Sequence, residues 1–427
     1  MMKSFPAIVV IVLMTFSLST YSQNYKQLHK AADSLYKAKA YPGAARLYLE
    51  SAAIADFKLQ KTGSLYRAAC CYSLAGDRDS AFMILRKAIK AKYSDKAHLL
   101  ADKDLDALHK EKEWTQLAAS VKEEKKVLNK APRQASLVTE DIHRFWQAYD
   151  LAQKDTVNRA AVYKKYYFDK ASRGMQDYMG LKVASIAAFV RHYDQRAQFY
   201  HAIRHNTLQA DSLKPAIYTC FEQLKAMYPP AVFPDVYFVM GAFTSAGTVS
   251  DAGLLIGVNQ ICKTDDTPLG ELSLWEKNNF SPLQNLPAVI SHELIHFQQG
   301  ELLKMDDTTT LFPVLIEGMA DFLGEMISGK NINQRLHTWA KGKEKRIWDA
   351  FLKDMNYNRY YNWIANASQE TPDNPADQGY WIGYQICRAY YMNATDKRQA
   401  IYDMLHFANA MEFLKKSGWE EVVAGYK

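Results

Sequence analysis

The sequence predicts a mostly helical α+β protein in which a small β-sheet lies between helical regions. Apolar and aromatic residues recur at helical spacing before about residue 230 and again after Asn285. Between these regions, Val236–Phe243 and Gly253–Ile261 are short runs of β-forming residues bounded by Gly, Ser and Asp. Helices on either side of a small sheet are typical of an α+β arrangement.

The composition is that of a folded chain. Hydrophobic residues make up 48% of the 427 residues and aromatic residues 13%, which excludes general disorder and allows two or three domains. The net charge of +7 is spread along the chain. The densest basic stretch, Lys122–Lys126, is interrupted by Glu123 and Glu124, so it indicates a solvated helix face. We therefore expect no nucleic-acid partner.

The N-terminus has the pattern of a secretory signal peptide over residues 1–22. Lys3 supplies the positive charge, and Ala7–Leu18 is an apolar run too short to span a bilayer, which takes about 20 residues. Small residues before Gln23 offer a cleavage site, although an uncleaved anchor is the alternative. We expect a secreted or periplasmic protein with no stable membrane span after signal cleavage.

Five cysteines do not form a recognisable disulfide or zinc framework. Cys70 and Cys71 fall in a small-residue helical pattern and are predicted to pack in the core. Export would permit a disulfide among Cys220, Cys262 and Cys387, but the sequence does not choose a pair. No cysteine lies near the predicted cleavage site, so a lipid anchor at that place is not expected.

Residues 23–130 are predicted to form a helical domain with a weak internal repeat. Tyr36–Ala52 and Tyr66–Ile89 each combine a small-residue helix, a turn and a second helix. Ala44 and Ala81 begin the second helices at an offset of 37 residues, close to the tetratricopeptide period of about 34. The segment resembles tetratricopeptide helix pairs and could bind a protein partner. A plain helical bundle is the alternative.

The end of this region is predicted from charge and proline. Asp102–Leu117 is expected to be a helix that caps the repeats, and the charged stretch Lys122–Gln134, with Pro132, is expected to be a linker. The aromatic-rich remainder, residues 139–427, is predicted to be a second domain.

The segment Asn285–Leu303 carries the pattern HExxH. His292 and His296 are four residues apart and project from one helix face, so both imidazoles could bind one Zn²⁺ ion. Glu293 between them could act as the general base on a metal-bound water, whose pKa zinc lowers to about 7. The aliphatic neighbours of these residues keep competing charges away.

A third metal ligand is expected 21 residues further on. Position 302 is Leu, which excludes the pattern with a third histidine there, whereas Glu317 falls in Pro313–Met326, which is expected to form a second, antiparallel helix. Gly318 and Ala320 are small enough to let that helix approach the first. Asp321 lies one turn after Glu317 and could accept the free N–H of a zinc-bound imidazole.

These residues resemble the gluzincin metallopeptidases, whose pattern is HExxH followed by ExxxD on the next helix. More narrowly, residues 139–427 look like a bacterial family of zinc-dependent proteases with the blocks "HELIH" and "EGMADF". The resemblance implies a gluzincin fold, zinc and hydrolysis of peptide bonds. Gln298 departs from it, because an apolar residue is usual at that position.

Further residues are expected around the substrate. Tyr380 and Tyr384 share a helix face and could stabilise an oxyanion, or else simply pack. The usual architecture of such enzymes implies that a peptide pairs with the strand Gly253–Ile261, with Gly257 and Asn259 as substrate contacts.

Two hypotheses of different classes follow from these patterns. The first is a secreted zinc metallopeptidase that acts on a peptide or protein substrate. The alternative is a peptide-binding or protein-binding assembly protein that uses the helical repeats and keeps a non-catalytic zinc site. An accidental HExxH pattern in a helical scaffold is a third, weaker hypothesis.

Overall fold

The structure is a computed structural model that describes residues 21–123 and 128–426. The chain divides into two compact units, Met1–Lys122 and Glu123–Lys427. All but the last two residues of the predicted signal peptide lie outside the described residues. Within the described ranges, no helix has both the length and the apolar composition that crossing a bilayer requires.

The first unit consists of helices that pack against their neighbours in the sequence. Ala-rich faces allow close packing, and aspartate side chains cap two of the helix starts, where Asp77 accepts from the backbone N–H of Ser80 and Asp95 from that of His98. The helices are α1 (Tyr21–Lys37), α2 (Tyr41–Ile54), α3 (Lys58–Leu74), α4 (Arg78–Lys90), α5 (Lys96–Ala101) and α6 (Trp114–Ser120).

The two positions paired by the sequence repeat occupy the same place in their helices. Ala44 is the fourth residue of α2 and Ala81 the fourth of α4, and both are fully buried, as are Tyr48 and Leu85 one turn later. The tetratricopeptide assignment itself stays a prediction. The single capping helix predicted over Asp102–Leu117 is wrong, because the Asp102 side chain starts a 3₁₀ turn and α6 begins only at Trp114.

The second unit begins with a strand and six helices and then forms most of its sheet. These elements are β1 (Leu137–Val138), α7 (Glu140–Lys154), α8 (Arg159–Tyr166), α9 (Arg173–Lys182), α10 (Ile186–Asp194), α11 (Ala197–Leu208), α12 (Lys214–Met227), β2 (Val236–Val239), β3 (Gly247–Ser250) and β4 (Gly253–Gly257). Buried aromatic rings from α7, α8, α10 and α11 pack together, as the aromatic spacing predicts.

The remainder of the second unit is helical, as predicted after Asn285. Its elements are α13 (Leu274–Asn279), α14 (Leu286–Gln298), α15 (Leu311–Ser328), α16 (Gln334–Ala340), α17 (Glu344–Phe351), α18 (Gln378–Asn393), α19 (Lys397–Leu405), α20 (Ala410–Ser417) and α21 (Trp419–Ala424). The most extensive helix packing within the second unit joins α15 to both α14 and α18. This confirms the coarse prediction of a mostly helical α+β protein with a small sheet.

The sheet has four strands in the order β1-β2-β4-β3, with β3 antiparallel to β4 and the other pairs parallel. Both predicted strands are too long. The first ends at Val239, ahead of Phe243, whose φ of +59° does not fit an extended strand, and the second ends at Gly257, where a 3₁₀ turn follows. Strands β1 and β3 were not predicted, because β1 has two residues and β3 is the weakly apolar segment Gly247–Ser250.

The cysteines are all reduced and buried. None of Cys70, Cys71, Cys220, Cys262 and Cys387 takes part in a disulfide. The bond that export would permit among the last three is therefore not formed in this structure.

Candidate metal centre

Helix α14 is a central, almost fully buried helix. Pro287 stands in its first turn, where a backbone N–H is not needed for the helix. Aliphatic residues on several faces, including Ile290, Leu294 and Ile295, are at most 1% exposed. Because the helix is fixed on all these sides, the polar residues His292, Glu293 and His296 project from a rigid support.

Helix α15 supplies the partner surface, and its glycines set how closely it packs. A Cβ added to Gly324 would lie 3.2 Å from the backbone N of His292, so this glycine faces α14. A Cβ at Gly318 would instead lie 2.1 Å from the backbone of Gly383 in α18. The prediction that Gly318 allows α15 to approach α14 is therefore wrong, because the position that a side chain of residue 318 would occupy faces α18. Gly329, with φ +73°, ends α15.

The two helices bring three metal-binding side chains together. The Nε2 atoms of His292 and His296 are 3.0 Å apart. Glu317 Oε2 lies 3.5 Å from the first and 3.2 Å from the second. The three ligand atoms all lie within 4.8 Å of one another, which is compact enough for one ion to bind all of them.

Hydrogen bonds on the far side of each ring determine which nitrogen faces the centre. His292 Nδ1 lies 2.8 Å from Asp321 Oδ1, and a carboxylate can only accept, so Nδ1 carries the proton. His296 Nδ1 lies 2.7 Å from Gln299 Oε1. Gln299 donates through Nε2 to the carbonyl of Ile316, so its oxygen must face the histidine and accept. In the neutral rings, both Nε2 lone pairs then point to the centre.

The centre therefore brings three acceptor atoms together. Two imidazole lone pairs and the buried Glu317 Oε2, which has no hydrogen-bond donor among the described residues, converge on one point. Such an arrangement is repulsive unless a proton or a cation lies between the atoms. Two imidazoles and one carboxylate, each imidazole held by an outer hydrogen bond, are a donor set that suits Zn²⁺. The residues thus fit the metal that the sequence predicts.

The electrostatics of the cluster also favour positive charge. Burial lowers the pKa of His292, but the carboxylates of Asp321 and Glu317 outweigh it and raise that pKa well above its usual value. Burial likewise lowers the pKa of His296, and Glu317 raises it by more. Conversely, burial raises the pKa of Glu317, while the two histidines lower it far below its usual range. A metal ion would replace the protons that these carboxylates attract.

Glu293 lies beside the centre and against the sheet. A Cβ added to Gly247 in β3 would meet the Glu293 carboxyl carbon at 2.3 Å, so the strand backbone covers this side chain. Burial raises the pKa of the Glu293 carboxyl, and the two histidines lower it in part.

The two tyrosines singled out in the sequence separate in the structure. The Tyr380 ring lies 6.1 Å from the His292 ring, and burial followed by the Glu317 carboxylate raises the pKa of its hydroxyl well above the usual value. Tyr384 lies instead against His337, with ring centroids 4.4 Å apart, and its hydroxyl interacts with Glu325. Only Tyr380 belongs to the metal centre.

The expected peptide pairing with Gly253–Ile261 is not possible in this fold. Strand β4 is interior, because β2 pairs with one edge and β3 with the other. Gly257 is the last residue of β4, and a Cβ added to it would lie 2.4 Å from the carbonyl oxygen of Ser245. Asn259 is fully buried and bonds to the Tyr200 hydroxyl and to the backbone of Gly241. Neither residue presents a surface to a substrate.

Sequence reasoning missed Gln299. It stands three residues after the end of the HExxH pattern, is fully buried, and links the His296 ring to the backbone of α15. A glutamine three residues after a candidate metal-binding histidine is the sequence signal that could have identified it. Asn333 was also missed; its side chain donates to Asp321 Oδ2 at 2.7 Å and so supports the carboxylate that holds His292.

Comparison with known proteins identifies the second unit with a protein family. Residues 128–421 match the family model of the gliding motility protein GldB. No curated protein matches the chain, and no solved structure matches it.

This match overturns the enzymatic interpretation. The matching family is a gliding motility family and not the gluzincin-type protease family suggested by the motifs, so the prediction of a zinc metallopeptidase, and with it of a hydrolase, is wrong. The roles of Glu293 as general base and of Tyr380 and Tyr384 as oxyanion donors belong to that hypothesis. The binding of zinc stays a prediction.

Proposed function

Because the chain belongs to the gliding motility protein GldB family, we propose that it is an extracytoplasmic, non-catalytic component of a gliding apparatus that acts by binding protein partners. The observation that carries this proposal is the family match, which spans residues 128–421 and thus nearly the whole second unit. The predicted signal peptide supports an extracytoplasmic location. The family is described as one of lipoproteins, which also supports an extracytoplasmic location.

The first unit is the part that we propose binds the partner. Stacked helix pairs offer extended surfaces for protein recognition. Residues 25–122 contain 18 Lys and Arg against 11 Asp and Glu, whereas residues 123–427 contain 34 against 35. Since the basic excess of the mature chain is confined to the helical unit, its partner is expected to present an acidic protein surface.

Helix α4 has the most suitable exposed face. Met83 is 48% exposed, and Lys87 and Lys90 follow it at helical spacing on the same side. Burial of the exposed Met83 side chain at an interface would be favourable. The two neighbouring ammonium groups would favour a partner with an acidic surface.

For the metal centre we propose a structural role for Zn²⁺. His292 and His296 on α14 and Glu317 on α15 would hold the ion; the first is buried and the other two are half-buried, which supports this assignment. A bound ion would fasten the two helices to each other and thereby stabilise the second unit. In this role Glu293 needs no proton-transfer function.

Complementation of a non-gliding deletion strain tests both parts of the proposal. The double variant Lys87→Glu/Lys90→Glu should reduce gliding and weaken partner capture at low salt, because the charge complementarity is reversed. Lys415→Glu/Lys416→Glu on α20 is the matched control, since both lysines are exposed in the second unit, and it should glide normally. Equal gliding by both double variants would contradict the assigned surface.

A second variant tests the absence of catalysis. Glu293→Gln should retain zinc and restore gliding, because a structural ion does not require a general base. A folded, zinc-loaded Glu293→Gln protein that fails to restore gliding would overturn the non-catalytic assignment.

A further inference from the structure

A second group of metal-binding side chains lies in the first unit, outside the family match. We propose that Cys70, Asp102 and Asp104 form a site for a thiophilic divalent cation of the zinc class, with His98 beside it. This inference goes beyond the proposed function and does not depend on it. A thiolate together with carboxylate oxygens, and an imidazole nearby, suits zinc better than calcium or magnesium, which prefer oxygen ligands alone.

The three ligand groups converge from two chain segments. Cys70 projects from α3, while the two aspartates come from the 3₁₀ turn after α5. One ligand atom from each residue lies within 4.8 Å of the others. Cys70 Sγ is 3.5 Å from Asp102 Oδ2, and His98 Nε2 approaches the same oxygen at 3.5 Å.

The turn holds the two carboxylates in place. Asp102 Oδ1 accepts the backbone N–H of Asp104 at 3.0 Å, so the first aspartate caps the turn that presents the second. The phenol of Tyr66 donates to Asp102 Oδ2 at 2.8 Å, and that of Tyr36 donates to Asp104 Oδ2 at 2.6 Å. Ligands oriented by outer hydrogen bonds are the arrangement of a preorganised metal site.

His98 is the neighbour of the cluster that could carry a positive charge. Among the described residues, neither carboxylate forms an ion pair with a lysine or arginine, and the tyrosine donors are neutral. The Asp102 side chain is only 15% exposed and Cys70 is 4% exposed. Acidic groups withdrawn from water are normally paired or bound to a metal, and a divalent cation would supply the missing charge.

Tyr93 adds an unused polar atom at the same place. Its ring stacks on Tyr66 with centroids 4.6 Å apart, and its buried hydroxyl has no hydrogen-bond partner in the described part of the chain. Both tyrosines interact electrostatically with Cys70 and Asp102, so the pair lies beside the cluster.

Metal binding would change the protonation of Cys70. Burial and then the two carboxylates raise the pKa of its thiol, so the metal-free thiol holds its proton. Binding therefore replaces the S–H bond by an S–metal bond and releases one proton to solvent, with no change in oxidation state.

Cobalt(II) titration of the reduced, full-length protein tests this site. A thiolate ligand produces a sulfur-to-cobalt charge-transfer band in the near ultraviolet, which a centre of two histidines and a glutamate cannot produce. We expect the band in the parent protein, its loss in Cys70→Ser, and binding weaker by at least about tenfold in Asp104→Asn.

Matched variants exclude other origins of the band. Cys71→Ser changes the neighbouring cysteine and should keep the band, as should His296→Ala, which removes a ligand of the other centre. Circular dichroism would verify that Asp104→Asn is folded. Its weaker metal binding then tests the site independently of Cys70→Ser. Absence of the band at saturating Co²⁺ in the parent, or its persistence in folded Cys70→Ser, would overturn the site.

Discussion

Gln299 Oε1 lies 2.7 Å from His296 Nδ1, so the residue that follows helix α14 orients a histidine of that same helix. The other end of the Gln299 amide donates to the carbonyl of Ile316 in α15, immediately before Glu317. One buried side chain thus couples the position of one proposed metal ligand to the helix that carries another.

The first prediction follows from this contact. Gln299→Leu should weaken zinc binding by about 10- to 100-fold, because His296 loses the acceptor that fixes its orientation and tautomer. Competition with a chelator measures the change. Gln298→Leu is the matched control; Gln298 bonds to the backbone of Val232 and not to a ligand, so its loss should leave the affinity within about twofold. Equal affinities for Gln299→Leu and the parent would contradict the assigned role.

The second prediction concerns the metal ligands themselves. In a Cys70→Ser background, which removes the other proposed site, elemental analysis should find about one zinc per chain and almost none in His296→Ala. His406→Ala is the control, because His406 packs on Tyr402 and contacts no proposed ligand. If the parent binds no zinc after reconstitution at neutral pH, the metal assignment is wrong.

The third prediction concerns the crossing of α15 and α18. A Cβ at Gly383 would lie 1.9 Å from the carbonyl oxygen of Val314, with no flexible side chain available to move. Gly383→Ala should therefore lower the free energy of unfolding by about 3 kcal/mol or more, measured by urea denaturation. Gly63→Ala in α3, where a Cβ meets nothing within 4 Å, should instead stabilise the protein by about 0.5–1 kcal/mol. Similar effects of both substitutions would show that the crossing is not closely packed.

The fourth prediction is a pH dependence that arises from His192. Burial, followed by the nearby Arg196, lowers the pKa of this imidazole to about 3, and its Nε2 lies 2.7 Å from the Tyr200 hydroxyl. Between pH 6.5 and 3 the unfolded chain therefore binds a proton that the folded chain does not. The contribution of the neutral His192 imidazole to the stability is fully present above pH 6.5. It is lost as the pH drops towards 3, which lowers the free energy of unfolding by on the order of a few kcal/mol.

The substitution His192→Gln should reduce this acid sensitivity, since an amide can still bond to Tyr200 but cannot take up the proton. The acid sensitivity is measured as the difference between the Tm at pH 7 and the Tm at pH 4.5. His205→Gln, at an exposed position of α11, should keep the difference found in the parent. If both variants lose stability on acidification as steeply as the parent does, His192 is not the responsible group.

The sequence was sufficient for features that depend on local spacing. A separation of four residues places His292 and His296 on one face of a helix, and 21 further residues allow Glu317 to return on the next helix. By contrast, the partner of Gly318 and the separation of Tyr380 from Tyr384 depend on where α18 crosses α15. That crossing results from packing between segments about 70 residues apart. The spacing of residues within one helix does not predict such long-range packing.

The sequence by itself therefore determined the mostly helical class, the small sheet and the residues that could hold zinc, because these follow from the periods of local structure and from ligand chemistry. Only the tertiary structure decided that β4 is interior, that Gln299 orients His296, and that Cys70 meets Asp102 and Asp104. Each of these relationships joins residues whose contact depends on how whole helices and strands pack. The same donor set can hold a catalytic or a structural ion, so its spacing alone misled the prediction of function.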